Sequence, residues 1–338
     1  MNVDLPRTEA LRQFVAKHVT DVASLQPASN DASFRSYWRA TTPHGSFIVM
    51  DSPPALEPVD DWLKIGARLR GTGLHAPQVH VADPAQGFLL LEDLGVRPYL
   101  AALNADSADT LYRDALAALF VMQSQVDASD LPHYSTARLI SEMEFMPEWF
   151  LRRHLGVVPE CDEWDHIELA FRRIVAAIDA QPRVFVHRDF HSRNLMITDS
   201  ASPGIIDFQG AMNGPLTYDL VSLLRDCYIA WPEARVTEWL DGYRMRLVHA
   251  GLTDADGAQF RRWFDLTGLQ RHLKVLGIFC RLCYRDAKPA YLADLPLVLR
   301  YCLSVMQHYP ELKEFARLLE RSVGDRDISQ ARTEANTP

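Results

Sequence analysis

The sequence predicts an α+β protein of two lobes: a small N-terminal antiparallel sheet lobe with one helix, and a larger, mainly helical C-terminal lobe. Two observations support this. Short β-branched and aromatic runs separated by turn residues fill the chain up to residue 95, and long segments with helical spacing follow. The length of 338 residues also suits two lobes, since one domain usually takes about 100–200 residues.

The N-terminal lobe is assigned to residues 1–95, where turn signals divide the chain into two hairpins and one helix. Thr42-Pro-His-Gly45 and Pro84-Ala-Gln-Gly87 each separate a pair of apolar runs, as hairpin turns do. The helix ends at Gly71, a residue type that commonly follows the last helical turn. The predicted elements are strands at 34–41 and 46–51, a helix at 62–71, and strands at 77–83 and 87–93.

The C-terminal lobe is assigned to residues 96–321, after a hinge at about 92–97. Its segments repeat apolar residues every three or four positions, the spacing of an amphipathic helix. The predicted helices span 110–125, 138–155, 162–180, 216–228, 233–250, 256–283 and 291–320. The polar segment 322–338 is predicted to be a disordered tail.

Composition excludes several classes of protein. The net charge of −9 disfavours nucleic-acid binding, because a phosphate backbone requires a basic surface. No run of about 18 apolar residues is present, so we expect no membrane span, and the first residues lack the apolar core of a signal peptide. Five cysteines form no disulfide framework, and Cys280 and Cys283 are predicted to be two thiols one helical turn apart. These features predict a cytoplasmic protein, and no obligate protein partner is inferred from them.

The stretch VFVHRDFHSRNLMI sets polar residues between apolar ones, and an apolar strand ending in Asp207 follows it. The short runs 194–197 and 204–206 predict a hairpin that brings the loop around Asp189 and the strand end at Asp207 to the same side. Phosphoryl transfer needs a carboxylate for the acceptor hydroxyl and hard oxygen ligands for Mg²⁺. Asp189, Asn194 and Asp207 provide that set. The alternative is that these are ordinary turn and capping residues.

Three motifs carry a resemblance to known enzymes. His187-Arg-Asp-Phe-His-Ser-Arg-Asn194 resembles the catalytic loop of the protein-kinase-like superfamily, and Asp207-Phe-Gln-Gly210 resembles its metal-binding Asp-Phe-Gly. Tyr218-Asp-Leu220, in a helix after a Gly-Pro turn, resembles the aminoglycoside phosphotransferase branch, which includes choline and sugar kinases. The sequence has no glycine-rich loop in the first lobe and no room for an activation loop, which disfavours a protein kinase.

This resemblance implies a two-lobed protein-kinase-like fold that uses ATP and Mg²⁺. Asp189 would be the catalytic carboxylate, while Asn194 and Asp207 would bind the metal. His187 and Asp219 would anchor the catalytic loop rather than react.

Several longer segments resemble one group within that branch, the anomeric sugar kinases that act on N-acetylmuramic acid and N-acetylglucosamine. These segments are 29–39, 47–54, 87–95, 206–232 and 276–301. The resemblance implies ATP-dependent phosphorylation of the C1 hydroxyl of one or both sugars in peptidoglycan recycling, with a small-molecule amino sugar as partner. Which sugar is preferred stays open. The alternatives are a phosphotransferase for aminoglycosides or other small alcohols, and a catalytically silent nucleotide-binding pseudokinase.

The resemblance also implies a nucleotide site in the first lobe. Backbone groups around Glu92 and Leu94, in the hinge, would hydrogen-bond the adenine. The loop before the first predicted hairpin would cover the phosphates. Its candidate nucleotide-binding residues are Asn30, Ser33, Phe34 and Arg35.

One residue departs from the superfamily pattern. A strand lysine normally contacts the α- and β-phosphates, and the corresponding position here is Met50. We expect Arg35 to supply the missing charge, because arginine stays ionised and binds phosphate with two parallel hydrogen bonds. Arg39 and Lys64 are further cations of the same lobe. The alternative is that Arg35 and Arg39 are solvated strand residues.

The carboxylate of N-acetylmuramic acid would require a cation in the acceptor site. His191, Arg193 and Arg225 are the candidates, because they lie close in sequence to the predicted loop and its anchoring helix. The alternative for Arg225 is an ion pair with Asp226 or Asp219 on its own helix.

Overall fold

The computed structural model describes residues 5–29 and 34–332 of the chain. They form two compact units, each built from two stretches of sequence. The first unit contains the chain up to Val126 together with Arg193–Gly210, and the second contains Asp127–Ser192 together with the chain from Ala211 onward. The first unit thus holds the segment 96–126 and the segment that follows the catalytic loop, whereas the predicted lobes divide near residue 95.

The strands and helices have the following bounds. The strands are β1 (Ser24–Ser29), β2 (Ser36–Thr42), β3 (Gly45–Asp51), β4 (Val79–Asp83), β5 (Phe88–Glu92), β6 (Arg183–Val186), β7 (Leu195–Met196), β8 (Gly204–Ile205) and β9 (Met212–Pro215). The helices are α1 (Leu5–His18), α2 (Asp60–Gly71), α3 (Tyr99–Ala102), α4 (Ala108–Gln125), α5 (Thr136–Met143), α6 (Cys161–Asp179), α7 (Tyr218–Leu224), α8 (Glu233–His249), α9 (Gly257–Tyr284), α10 (Leu295–His308) and α11 (Lys313–Val323). A π-helix spans Met146–Leu155, and 3₁₀ turns span Pro289–Asp294 and Pro310–Leu312.

An antiparallel sheet of five strands, in the order β1-β2-β3-β5-β4, forms the centre of the first unit. One face is covered by α1, whose Leu11, Phe14 and Val15 pack with Val49 and Leu90 of the sheet. Neither α1 nor β1 was predicted. The strand SLQPAS has no β-branched residue and contains a proline, which only an edge strand tolerates. The helix spacing of 11, 14 and 15 was present in the sequence as a signal.

The strand register decides which side chains share the opposite face of this sheet. Arg39 lies opposite Ile48, and Ile48 lies opposite Leu91. In the neighbouring row, Met50 lies opposite Tyr37. Because paired residues of antiparallel strands project to the same side, these five residues all face away from α1.

The first unit also holds the predicted hairpin after the catalytic loop, formed by β7 and β8. Isolated bridges pair Gly204 with His75, which precedes β4, and Met196 with Pro98, which follows β5. They attach this hairpin to the chain on both sides of the β4–β5 hairpin. The N–H of Ile206 donates to the carbonyl of Asn194 at 3.1 Å. The hairpin therefore fixes Asn194 beside the strand that leads into Asp207.

The second unit is mainly helical around the long, largely buried helix α9. This helix packs against α6, α7, α10 and the π-helix. Strands β6 and β9, which pair antiparallel, begin and end the polypeptide that carries the catalytic loop. Among the residues that the structure describes, no helix is both long and apolar enough to cross a bilayer.

Two predicted helices are interrupted, in each case next to a proline. The predicted helix at 138–155 is α5 followed by the π-helix, whose second residue is Pro147. The predicted helix at 291–320 is divided by Pro310 into α10 and α11. Proline lacks an N–H and clashes with the preceding turn, so a helix usually ends before it and another begins with it.

The prediction of a disordered tail from residue 322 is wrong for residues 322–332. Ser322 lies in α11, and Ile328 is buried. The carbonyl of Ile328 accepts a hydrogen bond from His154 Nε2 at 3.0 Å, and the N–H of Arg332 donates to the hydroxyl of Tyr284. These contacts order a polar segment whose composition alone suggests fraying.

Candidate active site

The catalytic loop follows β6 and is anchored at its start by Asp219 of α7. The fully buried Asp219 carboxylate accepts the backbone N–H groups of His187 at 2.6 Å and Arg188 at 2.9 Å. His187 is also buried, its ring packs edge-on against Phe190, and its Nδ1 accepts the N–H of Asp189 at 3.3 Å. Both residues thus contact the backbone of the loop, and their anchoring roles stay predictions.

A second carboxylate holds the other end of the loop. Asp226 Oδ2 accepts the N–H of Ser192 at 2.9 Å and its hydroxyl at 2.5 Å. Both residues are buried. The sequence interpretation mentioned Asp226 only as a pairing partner of Arg225. Its spacing of seven residues from Asp219, two helical turns, was the available signal.

Asp189 lies between these anchors among several cations. Burial by itself would raise the pKa of its carboxyl, but the charges of Arg271, His191, Lys274 and Arg188 outweigh it and lower that pKa to about 2. The carboxylate is therefore ionised throughout the physiological range. It is a strong hydrogen-bond acceptor and a weak base.

A buried network supports Arg188, the residue before Asp189. The carboxylate of Glu142 binds Arg188 at 3.2 Å, Lys274 at 3.1 Å and the hydroxyl of Tyr134. Burial disfavours the charge of Glu142, but Lys274, Tyr134 and Arg188 together lower its pKa. Arg188 has a φ of 78°, a left-handed conformation that is strained for any residue with a Cβ. The sequence interpretation did not find this network.

Asn194 and Asp207, the predicted metal ligands, lie together in the first unit. Asn194 Nδ2 is 3.3 Å from Asp207 Oδ2, and Gln209 Nε2 donates to Asp207 Oδ1 at 2.8 Å. Asp207 has a φ of 64°, so it too is held in the left-handed region. The described residues contain no cluster of three or more His, Cys, Asp or Glu for a metal, but a Mg²⁺ site needs only one or two carboxylates besides phosphate oxygens.

A cavity of about 510 Å³ opens on the sheet face that α1 leaves uncovered. Strand residues, the hinge, Trp62 of α2 and the predicted metal ligands all line it. Its lining includes Tyr37, Arg39, Ile48, Leu91, Glu92, Asp93, Leu94, Gly95, Arg193, Asn194 and Asp207. This volume suits a nucleotide-sized ligand.

The structure places the predicted nucleotide-binding residues unequally. Glu92 and Leu94 line the cavity, although the Glu92 side chain binds His75 at 2.9 Å. Asn30 and Ser33 lie outside the described residues. Phe34 is exposed.

The phosphate role expected for Arg35 does not agree with its position. Its side chain is largely buried against Glu57, with Nε 3.3 Å from the carboxylate, and it does not line the cavity. Met50 is fully buried, on the cavity side of the sheet. Among the described residues, the arginines that line the cavity are Arg39 and Arg193.

The acceptor-site candidates separate between the units. His191 lies in the second unit, with its ring edge-on to Tyr228 at 5.5 Å. Arg193 belongs to the first. The prediction that Arg225 binds a substrate carboxylate is wrong, because Arg225 is buried and paired with Asp265 at 2.8 Å and Glu233 at 3.2 Å. The alternative considered from the sequence, an ion pair with Asp226 or Asp219, named neither of these partners.

Comparison with known proteins connects this geometry to an enzyme family. A profile described as "phosphotransferase enzyme family" matches residues 24–263, more than half of the chain. The chain belongs to the phosphotransferase enzyme family. The match includes the sheet, the hinge, the catalytic loop and both anchoring carboxylates, so the enzyme class predicted from the sequence is confirmed.

Two relatives are similar over almost their whole length. A protein of Pseudomonas aeruginosa named N-acetylmuramate/N-acetylglucosamine kinase is 43% identical over 90% of this chain and 91% of its own. One of the same name from Pseudomonas putida is 42% identical over 88% of this chain and 87% of its own. The kinase function predicted from the sequence is the one in these names.

The fold is also found among solved structures. An aminoglycoside phosphotransferase solved with bound ADP superposes with a TM-score of 0.58, covering 88% of this chain and 98% of its own at 14% identity. At that identity the likeness supports the predicted two-lobed kinase-like fold and no choice of acceptor.

Proposed function

We propose that the protein transfers the γ-phosphoryl group of ATP to the C1 hydroxyl of N-acetylmuramic acid or N-acetylglucosamine. The observation that carries this proposal is the setting of Asp189. It is an ionised, half-buried carboxylate on a loop held at both ends by Asp219 and Asp226. Such a group can fix an acceptor hydroxyl in line with a phosphoryl group, which is most of what this reaction requires from a protein.

The low pKa of Asp189 favours an acidic acceptor. A carboxylate with a pKa of about 2 removes a proton poorly from an ordinary alcohol. The anomeric hydroxyl is more acidic than other sugar hydroxyls, and a loose transition state delays proton transfer until the new bond is largely formed. We therefore assign Asp189 to accept a hydrogen bond from the C1 hydroxyl and to take its proton late.

The nucleotide half of the reaction is assigned to the first unit. The cavity residues of the hinge would hold the adenine, and an aminoglycoside phosphotransferase of this fold was solved with ADP bound. Asp207 and Asn194 offer a carboxylate and an amide oxygen, the hard donors that suit Mg²⁺. Such an ion, when bound, neutralises phosphate oxygens during transfer.

We infer that the substrate is a small amino sugar and that the product, a sugar 1-phosphate, returns cell-wall sugars to nucleotide-linked precursors. A cytoplasmic location suits a reaction that consumes ATP. His191, which is near Asp189, is our candidate contact for the sugar. Its ring and that of Tyr228 form an edge-on pair.

The test is phosphorylation of defined acceptors. The purified protein is incubated with MgATP and N-acetylmuramic acid, N-acetylglucosamine, kanamycin or choline, and ³¹P NMR identifies the phosphorylated position. We expect C1 phosphates of the amino sugars. Phosphorylation of kanamycin alone would favour the aminoglycoside alternative.

A variant pair tests the assigned role of Asp189. Asp189→Asn should lower kcat by at least about 10³-fold and leave ADP affinity within about twofold, since the group acts on the acceptor. The exposed Asp165→Asn is the control and should leave both unchanged. Binding of ATP without turnover of any acceptor by the wild type would support the pseudokinase alternative instead.

A further inference from the structure

Arg39 is the basic residue of the cavity wall that lies next to the hinge. It stands in one cross-strand row with Ile48 and Leu91, and all three line the cavity. Leu91 is followed directly by the hinge residues Glu92–Gly95. A charged side chain in an otherwise apolar row needs a reason, because strand residues at such a wall are usually apolar.

The guanidinium of Arg39 is fixed in one plane by three hydrogen bonds. Its Nε donates to Asp93 Oδ2 at 2.6 Å, and its Nη2 donates to Asp93 Oδ1 at 3.0 Å. The same Nη2 donates to the carbonyl of Gly95 at 3.0 Å. In-plane bonds of this kind leave the two flat faces of the group for stacking.

The partner carboxylate has no capacity left for a ligand. Asp93 Oδ2 also accepts the hydroxyl of Ser46 at 2.6 Å, and Oδ1 accepts the N–H of Gly95 at 2.9 Å. Each oxygen thus has two donors. Asp93 therefore positions Arg39 and the hinge, and its charge cancels much of the charge that Arg39 would offer to a phosphate.

We propose that Arg39 is a base-stacking residue, whose guanidinium face packs against the purine ring of the nucleotide at the hinge. The proposal rests on the proposed function in placing the adenine there. The ligand class is a planar, electron-rich heterocycle, which attracts a cation across its face. Asp93 acts through Arg39 as a positioning residue. Arg193, which lines the cavity with the predicted metal ligands, then remains the candidate for phosphate.

The experiment separates the base from the phosphates by measuring them as separate probes. Adenosine carries the base alone, and inorganic tripolyphosphate carries the phosphates alone. Calorimetry gives the Kd of each for the wild type, Arg39→Leu and Arg39→Lys. We expect Arg39→Leu to raise the Kd of adenosine about tenfold and to leave the Kd of tripolyphosphate within about twofold of wild type.

Arg39→Lys preserves an ion pair with Asp93 but has no flat face, so it also tests the proposal if Arg39→Leu is unstable. Arg39→Lys should weaken adenosine binding by a similar factor. In the kinase assay both variants should raise the KM for ATP more than they lower kcat, because stacking is uniform in ground and transition states.

The matched control is Arg7→Leu. Arg7 binds Asp51 in the same unit with side chains 24% and 6% exposed, against 25% and 5% for Arg39 and Asp93, and it lies outside the cavity wall. A similar loss of stability with unchanged adenosine affinity is expected.

Equal losses of affinity for adenosine and for tripolyphosphate in Arg39→Leu would overturn the proposal. Wild-type affinity for adenosine in Arg39→Lys would overturn it as well. Failure of the wild type to phosphorylate any sugar would refute the proposed function only, since the binding measurements do not depend on turnover.

Discussion

Replacing Glu142 by glutamine should destabilise the protein and slow the reaction together. The substitution keeps the shape of the side chain and removes a buried negative charge that pairs with Lys274 at 3.1 Å and Arg188 at 3.2 Å. Both cations are themselves largely buried. Their charges would then lack the carboxylate that the fold provides for them.

The magnitude follows from these distances. At an effective dielectric constant of about 20, each pair contributes about 5 kcal/mol of attraction. Much of this offsets the cost of burying the carboxylate, and removing one partner of a buried pair typically costs about 3–5 kcal/mol. We therefore expect Glu142→Gln to lower the free energy of unfolding by about 3 kcal/mol at pH 7, as measured by urea denaturation.

The dependence on pH distinguishes this mechanism from poor packing. The pKa of Glu142 lies below its usual value, so its contribution is present above about pH 4.5 and is lost as the pH falls through the folded pKa. The difference in stability between Glu142→Gln and wild type should therefore shrink as the pH falls below about 4.5, the ordinary glutamate pKa. A constant difference across this range would refute the reasoning.

Activity provides a second readout. Arg188 precedes Asp189 in a strained conformation, so losing its partner should lower kcat more than it raises the KM for the sugar. Glu148→Gln is the control, since it removes an exposed pair with Arg152 at 3.5 Å and should change stability by no more than about 0.5 kcal/mol. A loss below about 1 kcal/mol for Glu142→Gln would contradict the prediction.

Two further predictions concern the phosphates and the pH profile. Arg193→Ala should weaken ATP binding about tenfold or more, because Arg193 lines the cavity. Arg35→Ala should leave ATP affinity unchanged, because Arg35 pairs with Glu57. Calorimetry with ATP measures both affinities, and a loss for Arg35→Ala without one for Arg193→Ala would restore Arg35 as the phosphate contact. Burial raises the pKa of Asp219 to about 7, although its two N–H donors favour the ionised form. The contribution of Asp219 to the free energy of unfolding is therefore greatest below about pH 4 and is lost as the pH rises through 7. Ionisation of Asp219 lets both of its oxygens accept hydrogen bonds from the loop. The kcat profile of the wild type should rise near pH 7 with no step near pH 4, and a rise that persists in Asp219→Asn would exclude this assignment.

The local elements were predictable where their signal lies within a few residues. The hairpins around Thr42–Gly45 and Pro84–Gly87 were predicted correctly because turn residues separate two apolar runs in each of them. Helix interiors were also found, while the interruptions at Pro147 and Pro310 were not. Strand β1 was missed because an edge strand held by pairing with β2 needs little propensity of its own.

Part of the site could likewise be predicted. Asp189, Asn194 and Asp207 were predicted because a loop and a hairpin place a carboxylate, an amide and a second carboxylate close together in sequence, and their roles stay predictions. The residues that were missed or misassigned are joined to partners distant in sequence. Arg225 turns to Asp265 on another helix, and Glu142 meets Lys274. No local pattern encodes such a pairing, because two ions of opposite sign attract wherever packing brings them together.

The sequence by itself therefore determined the family and predicted the reacting groups, because the motifs that carry both lie within about twenty positions of one another. The tertiary structure alone decided how each charge is used. Arg35 pairs with Glu57, and Arg39 donates to Asp93 at the hinge. Asp189 lies among cations that keep it ionised. Burial makes each of these choices strong, since a charge removed from water must be met by a nearby partner, and only the folded chain specifies which partner is near.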